Sequence, residues 1–174
     1  HKDRLTVLEI LQNTSGLRFQ LGKETLELLQ TEFNLPKKWQ RTIEEVGETP
    51  FEKTSLQTLL DDWFGQGNRQ LRTAIEQAAA IVYYRHQTSV PVVETIVCDD
   101  AGQFKLLTKR LALCWIHAGR HYEKLSPVVP RHVKCLDSFA DCYWDYYRRL
   151  QDYRVSPNAE RAVALRLEFD ELFS

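Results

Sequence analysis

Residues 92–98 read VVETIVC and residues 111–116 read LALCWI, two mainly apolar runs, the first rich in β-branched side chains, divided only by residues 99–110. Runs this short, with no polar alternation, read as strands buried on both faces. The segment between them, Ala101 to Lys109, reads as helix, and so does Ala118 to Lys124 after the second run. Strand, helix, strand, helix in that order calls for parallel pairing through a crossover. The expected class is therefore α/β, with two adjacent parallel strands at about 92–98 and 111–116.

The rest of the chain reads mainly as helix. Leu5, Leu8 and Leu11 form one stripe of a helix over residues 3–13, with Asp3 near the positive end of its dipole. Leu17, Phe19 and Leu21 alternate as a short strand, and Lys23 to Phe33 is a second helix stopped by Asn34 and Pro36. Residues 37–65 hold one or two short helices around Trp39, Ile43 and Leu56 to Phe64, broken near Gly47 and Pro50. From Asn68 to His86, Leu71, Ile75, Ala78, Ala79 and Val82 recur at helical spacing. Cys135, Phe139, Cys142, Tyr146, Leu150 and Tyr153 do the same along a long helix, and this aromatic stripe reads as core. Pro157 opens a last helix carrying Val163, Leu167, Leu172 and Phe173. The organisation expected is one domain or a fragment of one, with a helical segment over 1–90, the strand-helix core over 91–126 and helices over 127–174.

A chain of 174 residues, 43% hydrophobic, can bury a proper core, and its net charge of −1 carries no global mark of a nucleic-acid or acidic-lipid partner. No apolar run nears the roughly 18 residues that span a bilayer, and HKDRLTVLEI lacks the apolar centre of a secretory signal. A cytoplasmic protein with no membrane partner is expected. Cys98, Cys114, Cys135 and Cys142 lie inside apolar segments without short paired spacing, which reads as reduced core thiols. There is no methionine at any position, so the chain is expected to be a piece of a longer one.

The first run ends on two adjacent acids, Asp99 and Asp100. In open α/β sheets functional groups gather beyond the carboxyl ends of strands. A carboxylate there can hold Mg²⁺ or Mn²⁺, which take oxygen ligands and often only one or two from protein. It can equally cap the helix expected from Ala101. Asp100, adjacent to that helix, is the better cap and Asp99 the better ligand, with both kept as metal candidates.

After the second run come His117 and Arg120, a pair suited to handling phosphate if the two strands are neighbours. Cys114 and His117 match half of a zinc site, but no second half follows. Between 101 and 134 there are seven basic residues, Lys105, Lys109, Arg110, Arg120, Lys124, Arg131 and Lys134, against the single acid Glu123. A basic stretch beside an acidic pair suits a metal-dependent nucleic-acid enzyme, with a solvated helix face as the alternative.

The elements IVCDDAGQF, LALCWIHAGRHYEKL, YWDYYRRLQDYRVSP and LRLEFDELF, in that order, resemble the middle of bacterial insertion-sequence transposases of the DDE class, in particular the insertion-sequence-66-like group. DRLTVLEILQNTSGLRFQLGKETLELL is similar to their helix followed by a short strand. The resemblance implies a partial ribonuclease-H-like core in a bacterial cytoplasmic protein that cuts and joins DNA with three carboxylates and two divalent metals. In that chemistry one metal activates the nucleophile and the other stabilises the leaving oxygen.

By matching position, Asp99 is implied as the second acid of the triad. Cys114, Trp115, His117 and Arg120 match a CW-x-H-x-x-R element whose histidine and arginine lie near the scissile phosphate. The candidate catalytic residues are therefore Asp99, His117 and Arg120, the seven cations above are the candidate DNA contacts, and DNA is the implied partner with a homodimer left open. The family's first Asp lies upstream of the segment at Asp3 to Leu11, and its closing Glu follows an LEFDELF-like helix. Glu168 and Glu171 stand in the wrong context to replace that Glu. This chain by itself is expected to bind Mg²⁺ weakly and to cleave no DNA. The alternative is a non-catalytic helical module, derived from a decayed transposase, that binds DNA or protein.

Overall fold

Helix dominates the chain, and several of the helices can be traced to a start or stop signal. The structure, a computed structural model, describes residues 3–65 and 67–174. They fall into two compact units: the residues up to Ile96 with Ala101–Ala112, and Val97–Asp100 with Leu113–Ser174.

In the first unit, α1 (Arg4–Gln12) begins where the Asp3 carboxylate accepts the Thr6 N–H at 2.8 Å, and it ends on Asn13 in the left-handed region. β1 (Arg18–Gln20) follows, then α2 (Lys23–Glu32), a 3₁₀ turn at Lys37–Trp39, α3 (Gln40–Glu44), β2 (Pro50–Glu52), α4 (Lys53–Phe64) and α5 (Arg69–His86). β1 and β2 are antiparallel with Phe19 opposite Phe51, a pairing the expected run of short helices over 37–65 did not include. α5 is the axis of the unit. Its residues 78–82 are all buried, so it is covered on every side, as a central helix must be. Leu8, Phe19, Leu29, Ile43, Leu56 and Leu60 complete this core.

After α5 the Val93 N–H donates to the Tyr84 hydroxyl at 2.9 Å, and β3 (Thr95–Cys98) begins. Arg110 donates to the Glu94 carbonyl at 3.0 Å and Cys114 to the Cys98 carbonyl at 2.6 Å, so β4 (Arg110–Leu113) runs alongside β3 at a constant offset. A constant offset is the mark of parallel pairing, which agrees with the crossover expected from sequence.

Four expectations about this region are corrected. The strands are shorter than 92–98 and 111–116, because the chain has already turned into helix by Trp115. They are not buried on both faces: Val97 is 71% exposed and Leu113 54%, because a sheet of two strands has no neighbours to cover it.

No helix forms over 101–109 either. A 3₁₀ turn at Gly102–Phe104 stands there instead, with Ala101 rather than Asp100 at its N-cap. The reason lies in Leu106 and Leu107. Leu107 is fully buried in the first unit's core, and Leu106 turns left-handed at φ 73° to allow this, its carbonyl held by the Arg85 guanidinium at 2.9 Å. A helix cannot contain that residue.

The second unit holds α6 (Trp115–Glu123), α7 (Pro130–Val155) and α8 (Ala159–Leu172). Pro130 occupies the first helical turn of α7, and the Asn158 side chain caps α8 by accepting the Arg161 N–H at 2.8 Å. α6 meets α7 at Gly119. A Cβ there would lie 2.5 Å from the Trp144 ring and 2.9 Å from that of Tyr143, so only glycine permits this approach. Trp115 stacks on Tyr143 with ring centres 4.4 Å apart, and Tyr146, Phe169 and Phe173 close around the same indole. The Tyr143 hydroxyl donates to the Trp115 carbonyl at 2.7 Å, and that of Tyr146 to the Leu165 carbonyl at 2.9 Å.

The aromatic stripe is thus core, but the thiols expected to share it are not. Cys135 and Cys142 lie at the exposed edge of the stripe on α7, Cys114 is partly buried, and only Cys98 is buried. Val163 and Leu167 on α8 are also exposed, at 62% and 65%. No helix among the described residues is long and apolar enough to cross a membrane.

Candidate functional site

Because β3 and β4 are parallel neighbours, their carboxyl ends lie side by side, and the chain leaves them in two different ways. From β3 it passes straight into Asp99, partly buried, and Asp100, exposed. From β4 it passes through Cys114, the N-cap residue of α6, into Trp115 and His117. The 2.6 Å bond from the Cys114 N–H to the Cys98 carbonyl ties the two exits together.

Electrostatics register the same proximity. Burial pushes the Cys98 thiol up, and the carboxylates of Asp99 and Asp100 and the neighbouring Cys114 add to that shift. Cys114 moves the other way. Its thiol is held below the usual range chiefly by a hydrogen bond with the His117 side chain, then by the His117 backbone N–H at the start of α6. No side-chain capping bond of ordinary geometry accompanies it.

His117 thus lowers the thiol of Cys114, the residue with which it forms half of a zinc motif in the sequence. Peptide-resolved alkylation with iodoacetamide is expected to titrate Cys114 below an ordinary thiol of about 8.5. His117→Ala is expected to raise that midpoint toward the ordinary range while the backbone N–H groups keep part of the lowering, and an unchanged midpoint would show that the His117 side chain does not act on the sulfur.

Arg120 follows His117 by three residues on α6 and is exposed. The remaining candidate cations divide between the two units. Lys105, Lys109 and Arg110 belong to the first, where the Arg110 side chain is already engaged by Glu94 and by Thr95, each at 3.1 Å. Arg120, Lys124, Arg131 and Lys134 belong to the second and are all exposed. Arg131 and Lys134 open onto a groove of about 1260 Å³ along α7, shared with Asp141, Asp145, Glu168 and Glu171. A groove of mixed sign does not track a phosphate backbone.

Among the described residues no group of three or more His, Cys, Asp or Glu side chains is arranged to hold a metal ion. Asp99 and Asp100 supply oxygen donors of the type Mg²⁺ and Mn²⁺ take, but a neighbouring pair is short of the donor set a two-metal centre needs. No chemical step through a metal follows from these residues alone. The sequence reading paired Cys114 with His117 only as half of a zinc site, and not as a thiol that the histidine lowers.

No family model matches the chain, and no solved structure does. The uncharacterized protein y4jO of Sinorhizobium fredii (strain NBRC 101917 / NGR234) is 40% identical to this chain over 79 residues, which cover 45% of the chain. Those residues amount to 24% of that protein, so the chain spans about a quarter of the length of the relative it matches.

Proposed function

We propose that the chain is part of a DNA-processing protein of the DDE transposase type, built on a ribonuclease-H-like core, with Asp99 as one of its metal-binding carboxylates. The observation that supports this is the pair of parallel strand ends, which sets Asp99 beside the start of the helix carrying His117 and Arg120. A carboxylate with an imidazole and a guanidinium nearby suits a phosphodiester in both charge and hydrogen bonding. In this reading Mg²⁺ or Mn²⁺ serves the site only when further carboxylates join Asp99, and Asp100 lies at its edge. Arg120 and Lys124 contact the DNA backbone. The mixed-sign groove along α7 favours the second reading, a helical module whose partner is protein.

Binding of a labelled DNA duplex measured against salt separates the two. If Arg120 and Lys124 engage phosphates, log K falls by about 0.9 per contact for each unit of log salt. Arg120→Gln then flattens the slope by about 1. A slope near zero overturns the DNA reading and leaves the protein-binding one.

A further inference from the structure

The groove along α7 is organised by one repeating pattern. Arg131, Lys134, Ser138, Asp141 and Asp145 follow each other at intervals of three or four residues, with Cys135 and Cys142 alongside, and all of them line it. This is the spacing of a helix face that packs against another helix. Arg131, Lys134 and Asp141 make no ion pair among the described residues, and Asp145 is held only by the exposed Arg148 and Arg149 of its own helix. Exposed pairs of that kind hold side chains weakly.

From 131 to 145 the order of charges along the face is two cations, a small serine, then two acids, with Arg148, Arg149, Glu168 and Glu171 also lining the groove. Turned end for end, the same face presents two acids, the serine, then two cations. A second α7 laid antiparallel with Ser138 against Ser138 therefore sets Arg131 and Lys134 against Asp145 and Asp141 of the partner subunit. At about 1.5 Å rise per residue, Arg131 stands level with Asp145 of the partner subunit, and Lys134 within about 1.5 Å of level with Asp141 of the partner subunit. Two-fold symmetry doubles both pairs. A phosphate backbone finds no such match, because the acids repel it.

We propose that this face of α7 is the interface between two antiparallel copies of the chain, centred on Ser138. The interface is independent of the DNA reading. It holds by matched charges around a small-residue centre, so it is modest in strength and sensitive to salt. The same register sets Cys135 within about 1.5 Å of level with Cys142 of the partner subunit. Cys135 and Cys142 of one chain are about 10.5 Å apart along the helix, too far to bridge each other.

Sedimentation equilibrium of the full chain at low salt tests this. The native chain is expected to dimerise, and Lys134→Glu or Asp141→Lys alone to weaken the association about tenfold or more by setting like charges together. The double variant K134E/D141K restores the opposite signs and is expected to return to within about threefold of native. Mild oxidation with diamide is expected to yield a covalent dimer that Cys142→Ser prevents. A chain that stays monomeric at about 200 μM, far above the micromolar range in which modest interfaces form, overturns the proposal. So does a double variant no better than its single parents, or a covalent dimer that survives Cys142→Ser.

Discussion

Replacing Tyr143 by alanine is expected to lower stability by about 3–5 kcal/mol, the range for removing a buried aromatic ring from a well-packed core. Tyr143 is 2% exposed and stacks on Trp115, and its hydroxyl fixes the first residue of α6 through the Trp115 carbonyl. Urea unfolding followed by tryptophan fluorescence measures the loss. Tyr143→Phe keeps the ring and removes only the hydrogen bond, with an expected cost of about 1 kcal/mol. Equal losses for the two variants would mean that the hydroxyl, and not the stack, holds α6 against α7.

The same residue carries a pH signature. Burial, then the neighbouring Tyr122, pushes the Tyr143 hydroxyl up to about 12. A group raised on folding stabilises the folded state below its unfolded value of about 10, and that contribution disappears as the pH climbs to about 12. Native protein should therefore lose stability across that alkaline window, and Tyr143→Phe should lose less there.

The second large effect is expected at Leu107. Leu107→Ala removes a fully buried side chain and should cost about 2–5 kcal/mol, whereas Lys109→Ala, two residues on and exposed, should stay within about 0.5 kcal/mol. Leu107 also keeps the segment after Asp100 in place. With its anchor gone, the left-handed backbone at Leu106 is offset only by polar ties, the Arg85 bond to the Leu106 carbonyl and the Arg4 bonds to the carbonyls of Gly102 and Lys105, and by the weaker packing of Leu106 itself. Amide hydrogen exchange over residues 101–109 should accelerate in Leu107→Ala beyond what the global loss explains. Uniform acceleration along the whole chain would show that the segment has no separate anchor.

Leu107 also shows where the sequence could and could not be read. Helices with strong periodicity, α1, α2 and α5, stand within a residue or two of where their patterns put them. Each carries its own signal, local in the chain. Residues 101–109 look helical by the same local rule, yet Leu106 and Leu107 answer to a core built from residues almost a hundred positions away. β2 was missed for a similar reason: three residues become a strand only because β1 is there to pair with them.

At the site, the parallel pairing and the position of Asp99 were legible from strand length and order. The thiol pattern was misread because Cys135 and Cys142 share helical spacing with Tyr146, although a small rotation around α7 separates the aromatic side from the polar one. Periodicity finds a stripe, but its edges depend on what packs there.

The way the chain passes between its units governs how the protein can be dissected. The path enters the second unit at Val97, returns to the first for Ala101–Ala112 and leaves it again at Leu113. The unit bearing α6, α7 and α8 is therefore not one uninterrupted stretch of chain. A piece starting at Leu113 keeps all three helices and loses Asp99 together with the strand that presents it. A piece starting at Val97 keeps Asp99 but carries Leu107 with no core to receive it. Every cut made to simplify the molecule thus removes either the carboxylate or the support of the loop behind it.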